Sequence, residues 1–482
     1  MEHSKRQLTF KYEKEEKIKP RDDFAQGLKP LEDLLDSVRH LEGFPLGRDE
    51  DILALSDPPY YTACPNPYIH DFIERFGKAY DPDGDDYHRI PYVGDISEGK
   101  NDPIYNAHSY HTKVPHKAIM KFIEHYTEEG DIVFDGFCGS GMTGVAAQLL
   151  NRRAILVDLC PAATFIAYNY NTPVDTEEFL EEANRILAEV EKECGWMYET
   201  LHTDGKTKGR INYTVWSDVF ICPYCQNEYV FWHAAVDKEK GRVLRDYTCP
   251  VCGAQINKRQ CERAKTTFYD QVIGQGITQA KQVPVMINYS VGKKRYEKVP
   301  DQFDLELIEK IEESTIPYWF PTNPMMNKGK RWGDTWRAGY HFGITHAHHF
   351  YTKRNLWTTA YIFSKVKDNK INLCDKRLLF WLQSIGLGQT RLNRYLKNAY
   401  SQVNRQLSGT LYIASTNSEV SPWYALKGKI KKIPSTGSNM NSIISTQSTN
   451  NTSLKDDCID YIFTDPPFGS NLMYSELNFL WE

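Results

Sequence analysis

The sequence predicts an α/β chain in which a doubly wound parallel sheet is split by a large basic insertion. Three observations carry this expectation. Residues 131–158 read as an apolar strand, a glycine-rich turn, a helix and a second strand, the usual start of a doubly wound domain. CIDYIFTDPPF (458–468) reads as a buried strand delivering Asp465-Pro466-Pro467-Phe468 at its carboxyl end, where α/β sheets place their chemistry. Between these segments lie two Cys-x-x-Cys pairs, Cys222/Cys225 and Cys249/Cys252.

Composition bounds the rest. The 482 residues are 41% hydrophobic, 13% aromatic and 25% charged, which suits two to four globular domains and excludes a largely disordered or fibrous chain. No run of about 18 uncharged apolar residues predicts a transmembrane helix, so no membrane partner is expected. MEHSKRQLTFKYEKEEK lacks the apolar core of a secretory signal. Eleven scattered cysteines then point to reduced thiols and a cytoplasmic setting. The formal net charge of −5 hides an asymmetry: residues 201–440 hold 36 Lys and Arg against 19 Asp and Glu, and the remainder 22 against 44. A basic middle in an acidic chain suits a polyanionic partner, with a plain solvated surface as the alternative.

Taken in order, residues 1–50 are charged and mostly helical in pattern, with leucines at helical spacing in KPLEDLLDSVRHLEG (29–43). Residues 51–110, rich in Pro, Asp, Tyr and Gly, read as irregular. Helices are expected at 115–127 and 142–150, strands at 131–135 and 154–158, then another helix and a long amphipathic one over 174–199. A compact cysteine module occupies about 211–265. Residues 317–357 interleave aromatics with bases and histidines, as phosphate neutralisation and base stacking would require. Of these, His341, His346, His348 and His349 have no acidic or cysteine partner at fixed spacing, so metal is not the expectation there. NLCDKRLLFWLQSIG (372–386) reads as a core helix. The polar run 436–453 reads as a loop with room for a short strand at 442–446. The expected divisions are 1–110, helices and loops; 111–172, a cofactor-binding half; 173–440, the insertion; and 441–482, a catalytic segment.

DIVFDGFCGSGMTG (131–144) ends a strand in Asp135 and then places Gly136, Gly139, Gly141 and Gly144 before a helix. Glycines let a ligand approach the backbone. Asp158, at the end of the next strand and 23 residues on, suits hydrogen bonds to ribose hydroxyls. FDGFCGSGMTG resembles motif I, D-P-F-C-G-S-G-T-T, of the S-adenosylmethionine-dependent amino-methyltransferases of DNA. Gly136 replaces the proline and Met142 the first threonine. HTKVPHKAIMKFIEHYTEEGD (111–131) is similar, more loosely, to the family's motif X through His111, Thr112 and Pro115. The resemblance implies a Rossmann-like methyltransferase sheet. It also implies that Asp135, Phe137, Cys138, Gly139, Ser140, Gly141 and Asp158 hold S-adenosylmethionine, with Thr112, Lys113 and Pro115 closing its other side. Cys138 would sit in the turn without a reactive role.

In DDCIDYIFTDPPFGSNLMYSELNF (456–479) the prolines fix the backbone and withhold donors. Asp465 and the carbonyl of Pro466 are then acceptors for an exocyclic amine, and Phe468 offers a face to a flipped base. In the resembling family, D-P-P-[YF] mostly accompanies adenine N6 and S-P-P-Y cytosine N4; some RNA methyltransferases also carry T-D-P-P-Y. A second copy, Asp57-Pro58-Pro59-Tyr60, would imply the family's permuted order. Only about 50 residues separate it from His111, so it reads as a structural or substrate-side loop.

Two Cys-x-x-Cys pairs can offer four thiolates to one Zn²⁺ at about 2.3 Å, leaving no open position, so the zinc is expected to be structural. The module resembles a zinc ribbon. Motif X, motif I, a basic insertion and then the catalytic tetrapeptide imply a site-specific DNA adenine-N6 methyltransferase, such as serves restriction-modification, whose insertion grips the duplex. The alternatives are an RNA or N4-cytosine amino-methyltransferase, and a non-catalytic zinc-ribbon DNA-binding subunit. The family sheet has seven strands, and the later ones do not appear before Glu482. The expectation is an amino-terminal or split portion, its sheet completed by a second chain or a C-terminal portion.

Overall fold

The computed structural model describes residues 23–481 except 100, 238, 326–342, 368–372, 400, 434–440, 453, 468 and 470–473. In chain order, α1 (Asp49–Leu55) leads into β1 (Tyr61–Thr62) and α2 (Ile69–Phe76). Three acidic residues in the first turn of α1 favour its positive end. Next come α3 (His116–Tyr126), β2 (Ile132–Asp135), α4 (Met142–Leu149), β3 (Arg153–Asp158) and α5 (Pro161–Asn171). Asp175 caps α6 (Thr176–Cys194) by accepting the N–H groups of Glu177 and Glu178. The insertion contributes β4 (Lys208–Ile221), the hairpin β5 (Lys265–Asp270) and β6 (Gln275–Ala280), and β7 (Gln282–Val291). After it follow α7 (Lys353–Lys367), α8 (Leu373–Gln383), β8 (Thr416–Val420), β9 (Ser442–Thr446), β10 (Tyr461–Ile462) and α9 (Tyr474–Asn478).

Five strands form a parallel sheet in the order β1-β9-β3-β2-β10. β2 and β3 are buried or nearly so, as parallel strands covered by helices on both faces must be. The result is a mixed α/β architecture consistent with a methyltransferase fold. The second sheet is antiparallel and centred on the fourteen-residue β4, which pairs with β7 and β8. A continuous core runs from Phe24 to Trp481 and includes both α7 and α8. The cysteine module has a separate small core around Phe220, Tyr229, Phe231 and Tyr247.

Three local expectations change, and one optional element is formed. KPLEDLLDSVRHLEG forms only the short turns Leu31–Asp33 and Leu35–Val38; its apolar side chains meet the core without a continuous helix, Leu31, Leu35 and Val38 being buried. The stretch 51–110 is not wholly irregular, since it contains β1 and α2. Residues 442–446 form the short strand for which the sequence left room, and it lies in the sheet interior between β1 and β3. The strand before Asp465 is short and lies at a sheet edge, with Ile462 58% exposed, so it is not buried.

Candidate active site

The carboxyl ends of β2, β3, β9 and β10 open on a cavity of about 830 Å³, a size typical of small-molecule sites. After β2 the chain makes its glycine turn with Gly139 at φ 50° and Gly141 at φ 75°. A Cβ on Gly141 would come within 2.7 Å of both Ala167 Cβ and Asn171 Nδ2. Asn171 donates to the Gly141 carbonyl at 3.0 Å and thereby ties the turn to α5. Gly139 is the glycine that faces the cavity.

A buried carboxylate, Asp135, and a half-buried one, Asp158, organise this turn. Asp158 accepts the N–H of Gly139 through Oδ2 and of Cys160 through Oδ1, both at 2.9 Å. Asp135 accepts the Phe137 N–H at 3.0 Å and the Thr143 hydroxyl at 2.5 Å. Burial pushes the Asp135 carboxyl up to about 6 and also raises Asp158. Burial likewise raises the Cys138 thiol well above its usual range, which suits an inert side chain.

β10 lies parallel beside β2, and the Phe463 N–H donates to the Phe134 carbonyl at 3.0 Å. That pairing carries Asp465, Pro466 and Pro467 to the same cavity wall as Asp135, Phe137, Cys138, Gly139, Ser140 and Asp158. Thr112 and Lys113 also line it. The Lys113 ammonium, however, donates to the carbonyls of Tyr105 and His108, and burial lowers its pKa strongly. Gly141 and Pro115 do not line the cavity: Gly141 packs on α5, and Pro115 stands at the N-cap of α3. Phe468 lies outside the described residues.

Sequence reading missed part of the wall. Tyr110, Glu42, Cys160, Tyr474, Ser475, Asn478 and the residues Ser448, Thr449 and Asn450 after β9 all line the cavity. Thr449 donates to the Gly136 carbonyl, and Asn478 Nδ2 lies 3.1 Å from Cys160 Sγ. The signal for the 448–450 segment was its place just after the short strand allowed at 442–446.

The other tetrapeptide lies by β1, at the opposite edge of the sheet from β10. Asp57 is buried and accepts the Tyr168 hydroxyl at 2.8 Å. Tyr60 is buried against Phe24. Neither lines the cavity.

In the cysteine module, Cys222, Cys225, Cys249 and Cys252 bring their sulfurs within 4.8 Å of one another. Two pairs stand at 3.8 and 4.0 Å, close to the edge of about 3.8 Å that a tetrahedron with ~2.3 Å bonds requires. The two loops share one geometry. The first cysteine N–H donates to the carbonyl five residues on, and its own carbonyl accepts the N–H of the fourth residue, Gln226 or Gly253. Each of those residues has positive φ, 58° and 75°. Hydrogen bonds from the Asn227 backbone and side chain bring Cys225 down to about 7. The four cysteines therefore fit a zinc ion.

A parallel α/β sheet whose strand ends meet at a glycine turn held by Asp135 and Asp158 is consistent with a methyltransferase fold. Residues 5–169 match the family described as DNA methylase. Over that stretch, about a third of its length, the chain is similar to the adenine-N6/cytosine-N4 DNA methyltransferase family, whose expected cofactor is S-adenosylmethionine. The match includes Asp57–Tyr60 and the glycine turn, and ends before the insertion and Asp465. Comparison with curated proteins and with solved structures gives no match.

Proposed function

We propose that this chain transfers a methyl group from S-adenosylmethionine to the exocyclic N6 amine of adenine in DNA. The observation that carries the reading is the shared cavity, in which Asp465, Pro466 and Pro467 face Gly139 and Asp158. Its volume and carboxylates fit a nucleoside carrying positive charge. Asp158, Gly139, Ser140 and Phe137 would hold the cofactor, which supplies an electrophilic methyl on sulfur. Asp135, on the same wall, and Gly141, packed behind it on α5, shape the turn.

An amine conjugated to a purine is a weak nucleophile. Acceptance of its two N–H groups by the Asp465 carboxylate and the Pro466 carbonyl draws electron density onto nitrogen and favours the pyramidal geometry needed for attack. The proton released after methyl transfer leaves past Asp465 to water. Phe468 would stack on the flipped base. Asp465 rather than serine in the tetrapeptide supports adenine over cytosine. The basic insertion would grip the duplex, and a structural zinc would hold its cysteine module. β10 pairs with β2 and leaves Ile462 exposed, so a strand from a second chain or a C-terminal portion would complete the sheet there. Among the described residues no helix is long and apolar enough to cross a membrane; the reading places the enzyme in the cytoplasm, as a modification enzyme.

The test is transfer of tritiated methyl to plasmid DNA and to tRNA, followed by nucleoside chromatography. N6-methyladenine from DNA, lost in Asp465→Ala with cofactor binding retained by calorimetry, is the expected result. N4-methylcytosine or label confined to tRNA would replace the substrate assignment. Nucleic-acid binding without any cofactor heat would leave the non-catalytic subunit as the reading.

A further inference from the structure

Asp270 closes strand β5, and its Oδ1 accepts the N–H groups of Val272 at 3.0 Å and Ile273 at 3.4 Å. The carboxylate is thus aimed by its own turn. Much later in the chain, the 3₁₀ turn Ala347–Phe350 presents His348 and His349. Their Nε2 atoms lie 2.8 and 2.9 Å from the same oxygen, Asp270 Oδ2. All three side chains are buried, and one ligand atom of each falls within 4.8 Å of the others.

Two metal bonds of about 2.1 Å at right angles hold their ligand atoms roughly 3.0 Å apart; at the tetrahedral angle the separation is about 3.4 Å. The two observed N···O distances suit each imidazole standing at about a right angle to the carboxylate around one ion. A metal-free cluster would crowd two rings, with centroids 4.3 Å apart, onto one carboxylate oxygen. Without an ion, Asp270 Oδ2 accepts the Nε2–H of both rings, and His348 Nδ1 is buried without a hydrogen-bond partner. The Thr345 N–H donates to His349 Nδ1 at 3.2 Å, and the Thr345 hydroxyl lies 3.4 Å from the same nitrogen. An ion at Nε2 would put the proton on Nδ1, so the Thr345 N–H would release that nitrogen and the hydroxyl would accept from it as the outer support.

We infer that Asp270, His348 and His349 form a second metal site, separate from the four cysteines, that takes a divalent ion of the zinc class. The ion pins the β5–β6 hairpin to the 347–350 turn. Beside that anchor the hairpin exposes Tyr269 and Val272, 67% and 57% accessible, so the site fixes a protruding apolar tip within the basic insertion.

Metal content of the purified full chain, followed by Co²⁺ replacement, tests this. Two equivalents are expected, one showing intense thiolate charge-transfer bands and one showing only weak ligand-field bands. Asp270→Asn and His348→Ala should each lose the second and keep the thiolate bands; Cys225→Ser should do the reverse. The inference is overturned if no equivalent lacking thiolate bands binds the wild-type chain, or if Asp270→Asn leaves it in place. Should the variants fail to fold, the wild-type Co²⁺ titration decides alone by the same criterion.

Discussion

Gly141 and Gly205 both adopt positive φ, 75° and 69°, but differ in what surrounds them. A Cβ on Gly205 meets nothing within 4 Å, whereas one on Gly141 meets Ala167 and Asn171 at 2.7 Å. Gly205→Ala should therefore cost only the left-handed backbone penalty, about 1 kcal/mol. Gly141→Ala adds overpacking and should cost about 3 kcal/mol and weaken cofactor binding; urea unfolding and calorimetric titration of both variants check this. Asp135 gives a pH-dependent counterpart. Its carboxyl stands at about 6 against an ordinary 3.8, so the folded state holds the proton more tightly than the unfolded one. The stability it contributes is fully present below pH 3.8 and is lost as pH rises through about 6. The difference corresponds to about 3 kcal/mol at neutral pH. Asp135→Asn, which keeps an acceptor and stays neutral, should melt increasingly above wild type as pH is raised from 4 to 7. A melting difference that stays flat across that range would contradict the assignment. These residues were legible in sequence because glycines and acids at strand ends have few other uses. Tyr110 was not, since nothing local marks an aromatic that reaches a distant turn.

At the scale of elements, legibility followed polarity. β2 and β3 are apolar runs bounded by turn residues, and they were readable. β9 was allowed for, but its interior place was not legible, because an interior strand normally announces itself by apolar content. Its polar side chains are instead satisfied within the fold: Ser445 Oγ accepts the Asn66 N–H at 2.9 Å and donates to Gln447 at 2.6 Å, and the Thr446 and Thr164 hydroxyls lie 2.6 Å apart. Helix α7 and strand β8 show the same device with full charges. Arg354 Nε donates to Glu419 Oε1 at 2.8 Å, its second nitrogen reaches Oε2, and Trp216 Nε1 donates to Glu419 at 2.8 Å. Both charged side chains are nearly inaccessible. Removing one partner strands the other, so Glu419→Ala or Arg354→Ala should each cost about 3–5 kcal/mol. The double variant should cost clearly less than the sum of the two. Denaturant unfolding of the three variants reads this coupling directly, and additive losses would show that the pair contributes no specific interaction.

At the scale of the whole molecule, the sequence separates charge from core. The insertion carries most of the basic excess, yet its helices are tied to the residues that precede it: Ser109 donates to the Ser384 carbonyl at 3.0 Å, Lys429 to that of Asn106 at 2.7 Å, and Arg377 to that of Thr172. The cysteine module differs, because its small core is distinct from the main one. A module that size buries too little apolar surface to hold itself without a staple. Metal removal should therefore melt it locally while the main thermal transition stays nearly fixed. If the proposed DNA contact is correct, the same treatment should weaken DNA binding while leaving cofactor affinity intact. The basic excess adds a second signature. Six to ten phosphate contacts would reduce affinity about 10³–10⁵-fold between 50 and 200 mM salt. Fluorescence anisotropy with a labelled duplex across that range, with and without chelator, separates the two effects. A steep salt slope that chelation makes shallower would place phosphate contacts on the cysteine module. A steep slope that chelation leaves unchanged would move them elsewhere on the insertion, and a flat one would mean that its positive charge faces water rather than nucleic acid.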